Sequence, residues 1–333
     1  MRLQLGYVPL CDAAPLIAAH ELGFARAEGL DLDLTAEPSW ATLRDRLALG
    51  HLDGAHMLAP LALASRLALS GPPSDLIVPL QLSTDGNAIT LSRTLWTTMD
   101  PDSEAVADVA RAFAGVAEAR HRAGSPLTLG TVHPFSCHSY QVRLFAEAGG
   151  LDAAAFRTVV VPPQHCVEAL ARGLVDGFCA GAPWNDVAAA AGHGRIAVHG
   201  SALAPNATEK VLAVSARLDG AILPLVRAVA RAGRWCADPD NRTELIHRLA
   251  RRTYLDLDPA LVGRAFAGDP VASAEPGPRI RFGEAVEEPR AAQARWLLEQ
   301  MRATQQVPAQ FDIAAAIATV YRPDLYRAAI ADS

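Results

Sequence analysis

Lysine is nearly missing from this chain: of 30 basic residues only Lys210 is a lysine, and the others are arginines. Cysteine is sparse and unpaired in pattern. The five, Cys11, Cys137, Cys166, Cys179 and Cys236, are scattered without a CxxC motif, which excludes a disulfide scaffold and suggests free thiols in a reducing compartment. Long apolar runs are also lacking. The stretch 57–64 is cut by Ser65 and Arg66, far short of the ~20 residues a membrane helix needs, so no membrane insertion is expected. Positive charge is not in excess: 30 basic against 36 acidic residues give a net charge of -6, which disfavours direct nucleic-acid or anionic-lipid binding. The N-terminus shows no basic region followed by an apolar run and a cleavage site. Residues 3–8 look at once like a buried strand, and a cytoplasmic location is the expectation.

The motifs of several enzyme classes are absent as well. There is no GxxxxGK[ST], no GxGxxG after a strand and no HExxH, so NTPase, dinucleotide and zincin chemistry lack their parts. Ser136 and His138 lie close together but have no nucleophile elbow or placed carboxylate. His51 and His56, like His133 and His138, are five apart, the wrong spacing for a helical metal pair. No catalysis, metal or cofactor is expected.

What is present is an alternation. Short strand-like runs (3–8, 30–35) alternate with helical ones (13–22, 41–49), the rhythm of a mostly parallel α/β sheet. A length of 333 residues, half of them apolar, favours two lobes. A weak repeat at an offset of 123 positions places Leu47, Gly50, Asp53, Gly54 and Pro60 on Leu170, Gly173, Asp176, Gly177 and Pro183; each copy reads helix, Gly stop, Asp-Gly, strand, then Pro opening a helix. Asp85-Gly86-Asn87 before 88–91 suggests one hinge crossing (85–92), and 205–208 leading into the apolar run 211–215 suggests a second (205–215). The expected lobes are 1–87 with 211–333, and 88–210. Helices over 223–235, 242–251 and 290–302 are expected to pack on lobe 1, and 272–281 reads as a loop.

Several residues are candidates for chemistry. Lys210 is either a chance survivor of codon bias or a requirement, because a compact ammonium reaches a small anion where a guanidinium fork does not fit. His138 follows the strand 127–130 at its carboxyl end, where open α/β sheets bind ligands; a lone histidine is equally a structural one. Trp40 opens a helix at the corresponding edge of the first lobe, as a flat wall with an indole donor or as an aromatic plug. Pro163 pairs with Trp40 by the repeat offset, and Pro162-Pro163-Gln164 would shape a cavity rather than charge it. Asn87 can donate and accept, although Asp-Gly-Asn is also a plain turn.

Gly6-Tyr7-Val8-Pro9-Leu10-Cys11-Asp12-Ala13-Ala14-Pro15-Leu16, Ser39-Trp40-Ala41, Asp53-Gly54-Ala55-His56, Pro134-Phe135-Ser136-Cys137-His138, Asp176-Gly177-Phe178-Cys179 and Pro183-Trp184-Asn185 resemble the nitrate-binding proteins of bacterial ABC importers, from residue 3 to about 215. The resemblance implies a two-lobed periplasmic-binding-protein-like α/β fold of type II, closing on a small anion. It implies pocket roles for Trp40, Thr42 (through its backbone), Asn87, His138, Pro163 (through its backbone) and Lys210, with His56, Ser136 and Gln164 as secondary candidates. Ala182 stands where importer members often have Glu, and a second pocket lysine is missing; His56 is the candidate to replace its charge. With one ammonium and polar donors, the expected ligand is a monovalent planar anion, nitrate or nitrite. Similar proteins without export signals include the cytoplasmic nitrate/nitrite sensor of the NasS type, which holds an ANTAR-domain RNA-binding antiterminator; this is the leading expectation from sequence. A substrate-binding protein of a nitrate or bicarbonate importer is the alternative, and a pyrimidine-synthase-like enzyme on the same fold is the second.

Overall fold

The computed structural model describes residues 1–267 and 279–331. The chain divides into two compact units: Met1–Thr84 with Ala207–Pro259 and Ile280–Ser333, and Asp85–Asn206 with Ala260–Arg279. The sequence reading gave all of 211–333 to the first lobe. The last segment of unit 2 departs from that because Arg279 is tied by Nη1 to Asp186 Oδ1 at 3.0 Å.

Unit 1 holds β1 (Arg2–Tyr7), β2 (Asp31–Ala36), β3 (Gly54–Leu58) and β4 (Leu76–Asp85). Unit 2 holds β5 (Asn87–Ser92), β6 (Thr128–Thr131), β7 (Arg157–Val160), β8 (Gly177–Gly181) and β9 (Gly194–His199), after which β10 (Thr208–Ser215) and β11 (Ile280–Arg281) return to unit 1. The sheet of unit 1 runs β11-β4-β10-β3-β1-β2 and that of unit 2 runs β7-β6-β8-β5-β9. Only half of each sheet is parallel. β1 pairs in parallel with β2 and β3, and β6 with β7 and β8, whereas β10 runs antiparallel to β3 and β4, and β5 to β8 and β9. This corrects the mostly parallel expectation. The parallel strands are those linked by helical crossovers, while β5 and β10 enter directly from the other unit and no crossover fixes their direction.

The repeat has a structural basis. Asp53 Oδ2 accepts the Gln4 N–H at 2.8 Å, and Asp176 Oδ2 accepts the Thr128 N–H at 2.8 Å. Each aspartate thus stitches the start of its strand to the parallel strand beside it. The glycine after it is needed for close approach: a Cβ on Gly54 would meet the Ala213 carbonyl at 3.1 Å, and one on Gly177 the Thr90 carbonyl at 2.8 Å.

Helical packing follows apolar spacing. In unit 1, Ile222–Ala237 packs on Ala14–Glu21, and Ala291–Ala303 and Ile313–Val320 pack on Ala59–Arg66, so the C-terminal helices cover the first unit as expected. In unit 2 the core joins Leu91, Phe113, Leu129, Phe145 and Phe156. Phe113 comes from Val106–Arg122, a helix the sequence reading did not identify although Val109, Ala110, Phe113, Ala114 and Ala117 are buried at helical spacing. Of the loop expected at 272–281, residues 272–278 lie outside the described residues, and Ile280–Arg281 forms β11. Among the described residues no helix is long and apolar enough to cross a membrane.

Candidate functional site

In unit 1 the sheet register gathers three candidate groups. His56 on β3 lies opposite Leu212 on β10, and Lys210 is two residues from Leu212, so the two-residue period puts Lys210 and His56 on one face. Lys210 sits within β10 rather than at its start. Asp12, in the 3-10 turn Cys11–Ala13 just beyond the carboxyl end of β1, enters between them. Its Oδ1 is 2.8 Å from His56 Nε2 and its Oδ2 is 2.8 Å from Lys210 Nζ. All three are buried, at 2, 0 and 0 % exposure for Asp12, His56 and Lys210. Glu209 Oε2 lies 3.8 Å from the same ammonium.

Trp40 completes this group. It opens the helix Trp40–Ala48, whose N-cap Ser39 accepts the Thr42 N–H at 3.1 Å, a cap worth about 1 kcal/mol. The Trp40 ring lies 5.5 Å from the His56 ring and 5.6 Å from Lys210 Nζ, centroid distances that make it a cation–π neighbour. Its indole Nε1 is buried and has no hydrogen-bond partner among the described residues. Thr42, whose surrounding backbone is expected to help complete the cavity, has its own N–H committed to Ser39, and its hydroxyl lies 3.0 Å from Ser39 Oγ.

The charges settle in one pattern. Burial works to raise the Asp12 carboxyl, but Lys210 and His56 outweigh it and hold it well below the usual carboxylate range. Burial pushes His56 below the ordinary imidazole range despite the opposing pull of Asp12. A histidine held below its ordinary range is a weak substitute for the charge of a second lysine, and its Nε2 faces Asp12 Oδ1. Its Nδ1 is left as a buried acceptor with no hydrogen-bond partner among the described residues. Both groups bind protons less readily when folded than unfolded. Stability is full above about pH 6.5, declines as the pH falls through the imidazole range, and declines further below about pH 4. His56→Asn is expected to flatten the fall in Tm between about pH 7 and 5 in thermal melts; an unchanged slope would place the acid sensitivity elsewhere.

In unit 2, Asn87 begins β5 and donates Nδ2–H to Gln141 Oε1 at 3.0 Å. Gln141 and His138 are three apart on Cys137–Ala148 and share a face. Asn87, His138 and Gln141 are buried at 2, 0 and 0 % exposure. The Cys179 thiol also points to Gln141 Oε1, at 3.8 Å, and Gly200 lets the amide pack closely, because a Cβ there would sit 2.6 Å from Nε2. Ser136 is the helix N-cap: it accepts the Ser139 N–H at 3.1 Å and donates to the His133 carbonyl at 2.5 Å, so its hydroxyl is spent on folding. Pro163 is buried at the start of the turn Pro163–His165, and Gln164 beside it is half-buried. Asn185 of the Pro-Trp-Asn motif bridges Thr90 Oγ1 at 2.8 Å and the Ala180 carbonyl at 2.7 Å, a structural role. All five cysteines are free and buried. No group of three or more His, Cys, Asp or Glu among the described residues is placed to hold a metal ion.

Asp12 and Gln141 are the site residues that sequence reasoning missed. Asp12 was within the quoted opening block, and its signal was an acidic side chain in an otherwise apolar stretch directly after a strand.

The profile of the NMT1-like family matches residues 1–250. The nitrate/nitrite binding protein NrtA of Synechococcus elongatus is 32 % identical over 98 % of this chain and 77 % of its own length. The bicarbonate transport ATP-binding protein CmpC of Synechocystis is 32 % identical over 92 % of this chain and 46 % of its own length. The nitrate import ATP-binding protein NrtC of Synechocystis is 29 % identical over 98 % of this chain and 49 % of its own length, so the chain spans about half the length of these two relatives. Among solved structures, the periplasmic nitrate-binding protein NrtA from Synechocystis superposes with a TM-score of 0.89 at 25 % identity, over 99 % of this chain and 88 % of that one. The ligand-binding component of an ABC-type import system from Staphylococcus aureus, at 16 % identity and a TM-score of 0.75 over 99 % of each chain, shares the fold. The chain has the periplasmic-binding-protein-like fold and belongs to the NMT1-like family, as a homologue of the NrtA proteins.

Proposed function

We propose that this protein binds nitrate or nitrite as the substrate-binding component of an importer. The observation that carries the reading is the Lys210 group: the chain's single lysine is wholly buried beside Trp40, whose indole N–H has no hydrogen-bond partner among the described residues. A buried donor left without an acceptor costs about 1–3 kcal/mol, and an oxyanion supplies the acceptor. His138, Asn87 and Gln141 are the corresponding polar group of unit 2. The Lys210 charge is matched by Asp12, so the site offers donors more than net charge. A second charge on sulfate or phosphate would go uncompensated in such surroundings, which favours a monovalent anion.

Bicarbonate is the second reading, and His56 favours it. With Nε2–H committed to Asp12, Nδ1 can accept from a ligand hydroxyl, which bicarbonate has and nitrate lacks. CmpC relatives carry bicarbonate transport in their names. The importer role takes precedence over the cytoplasmic ANTAR-partnered sensor suggested by sequence, because the named relatives are import and binding proteins; co-purification with a permease and ATPase, against co-purification with an ANTAR-domain regulator, separates the two.

Calorimetric titration with nitrate, nitrite and bicarbonate is the direct test. Saturable nitrate or nitrite binding is expected, with His138→Ala and Asn87→Ala each weakening it about tenfold or more, the worth of a hydrogen bond to a charged group. No heat with nitrate or nitrite at about millimolar concentration, where binding free energy is still near -4 kcal/mol, would remove the assignment.

A further inference from the structure

An open, arginine-lined pocket lies within unit 2, on residues outside the His138 group. It has a volume of about 520 Å³, and its wall carries Arg93, Arg195, Arg264 and Arg279 against one carboxylate, Asp186. The four guanidinium groups come from four places in the chain: Arg93 opens the helix Arg93–Met99, Arg195 is on the edge strand β9, Arg264 ends the helix Pro259–Arg264, and Arg279 immediately precedes β11. Such convergence is notable in a chain of net charge -6.

The four are not equivalent. Arg279 donates to Asp186 at 3.0 Å, which neutralises the one carboxylate among the described lining residues. Arg195 stacks over the Trp96 ring at 4.4 Å and pairs with Glu104. These two are held in place, so little side-chain entropy remains to be lost when a ligand arrives. Arg93 and Arg264 have no acidic partner among the described residues. Two guanidinium groups without an acidic partner among the described residues, and two fixed ones, form a wall suited to the bidentate N–H pairs that phosphoryl oxygens accept. The charge logic is the reverse of the Lys210 group, where the cation is already matched and a divalent anion is disfavoured. The volume is that of a small-molecule site.

We propose that this cavity binds a phosphate-bearing small molecule, with Arg93 and Arg264 as its ion-pairing ligands and Arg195 and Arg279 as the preset part of the wall. The proposal stands apart from the nitrate reading, since none of these residues belongs to either group assigned to nitrate.

Calorimetry with inorganic pyrophosphate tests it, with chloride at matched ionic strength as the control. Saturable one-site binding is expected, weakening at least about tenfold between low and high salt because the contacts are exposed ion pairs. The variant Arg93→Ala/Arg264→Ala should lose about tenfold or more in pyrophosphate affinity, two charge-assisted contacts being removed, while Tm and nitrate affinity stay unchanged. No saturable heat at about 5 mM pyrophosphate, where even weak anion sites fill at low salt, overturns the proposal. So does undiminished binding in the double variant, and so does saturable binding of a polyglutamate peptide with none of pyrophosphate, which would make the cavity a docking point for an acidic protein segment.

Discussion

Unfolding of the Lys210→Met variant is expected to require about 3–5 kcal/mol less free energy than that of the wild type, the cost of leaving one half of a buried ion pair behind. Lys210 Nζ is 2.8 Å from Asp12 Oδ2 and 3.8 Å from Glu209 Oε2, and none of the three is more than 2 % exposed. Methionine fills similar volume, so the loss reports on charge rather than on a cavity. Asp12→Asn alone should be costly for the converse reason. The double variant Asp12→Asn/Lys210→Met should lose less than the sum, with a coupling of about 1–3 kcal/mol between the two positions in urea melts; strict additivity would deny the pair its role. The loss should also depend on pH in a set direction. Wild-type Asp12 is held below its ordinary range, so the stability it contributes is present at neutral pH and is lost as pH falls. Lys210→Met should therefore be most damaging near neutral pH and less so as the pH falls below about 4. On the proposed nitrate reading, binding should fail in the same variant, since the lysine ammonium of that group is removed.

Trp40→Ala is expected to destabilise unit 1 by about 3–5 kcal/mol, the usual cost of emptying a large buried aromatic site. Trp40 is 1 % exposed and is the largest of the fully buried side chains. It contacts both the His56 ring and the Lys210 ammonium, so its removal also loosens the charged group. Trp40→Phe separates packing from hydrogen bonding. It keeps most of the apolar body and should cost under about 1.5 kcal/mol in stability, yet it deletes the indole N–H and should weaken nitrate binding about tenfold, as expected for a lost bond to an anion. Equal nitrate affinity in Trp40→Phe and wild type would take the indole donor out of the site.

Much of the architecture was legible because it is local. The alternation of short apolar runs with helical spacing marked β1, β2 and the helices after them, and the Asp-Gly pairs at 53–54 and 176–177 marked the starts of β3 and β8. Composition alone singled out Lys210. Less legible was the competition for hydrogen-bonding groups. Thr42 and Ser136 had the right residue types at the right edges, but helix capping claims the Thr42 N–H and the Ser136 hydroxyl. The direction of β5 and β10 was also hidden, because a strand's own residues are the same whichever way its neighbour runs.

The amino-acid order by itself marked most of the strands and helices, a two-unit organisation, and one lysine among 29 arginines. Tertiary structure alone decided what that ammonium faces. Asp12 and His56 are separated by 44 residues, and they meet only because β1, β3 and β10 are neighbours in one sheet. Protonation states in this group are set by burial and by charges a few ångströms away, quantities that depend on distances in space and leave no trace in spacing along the chain.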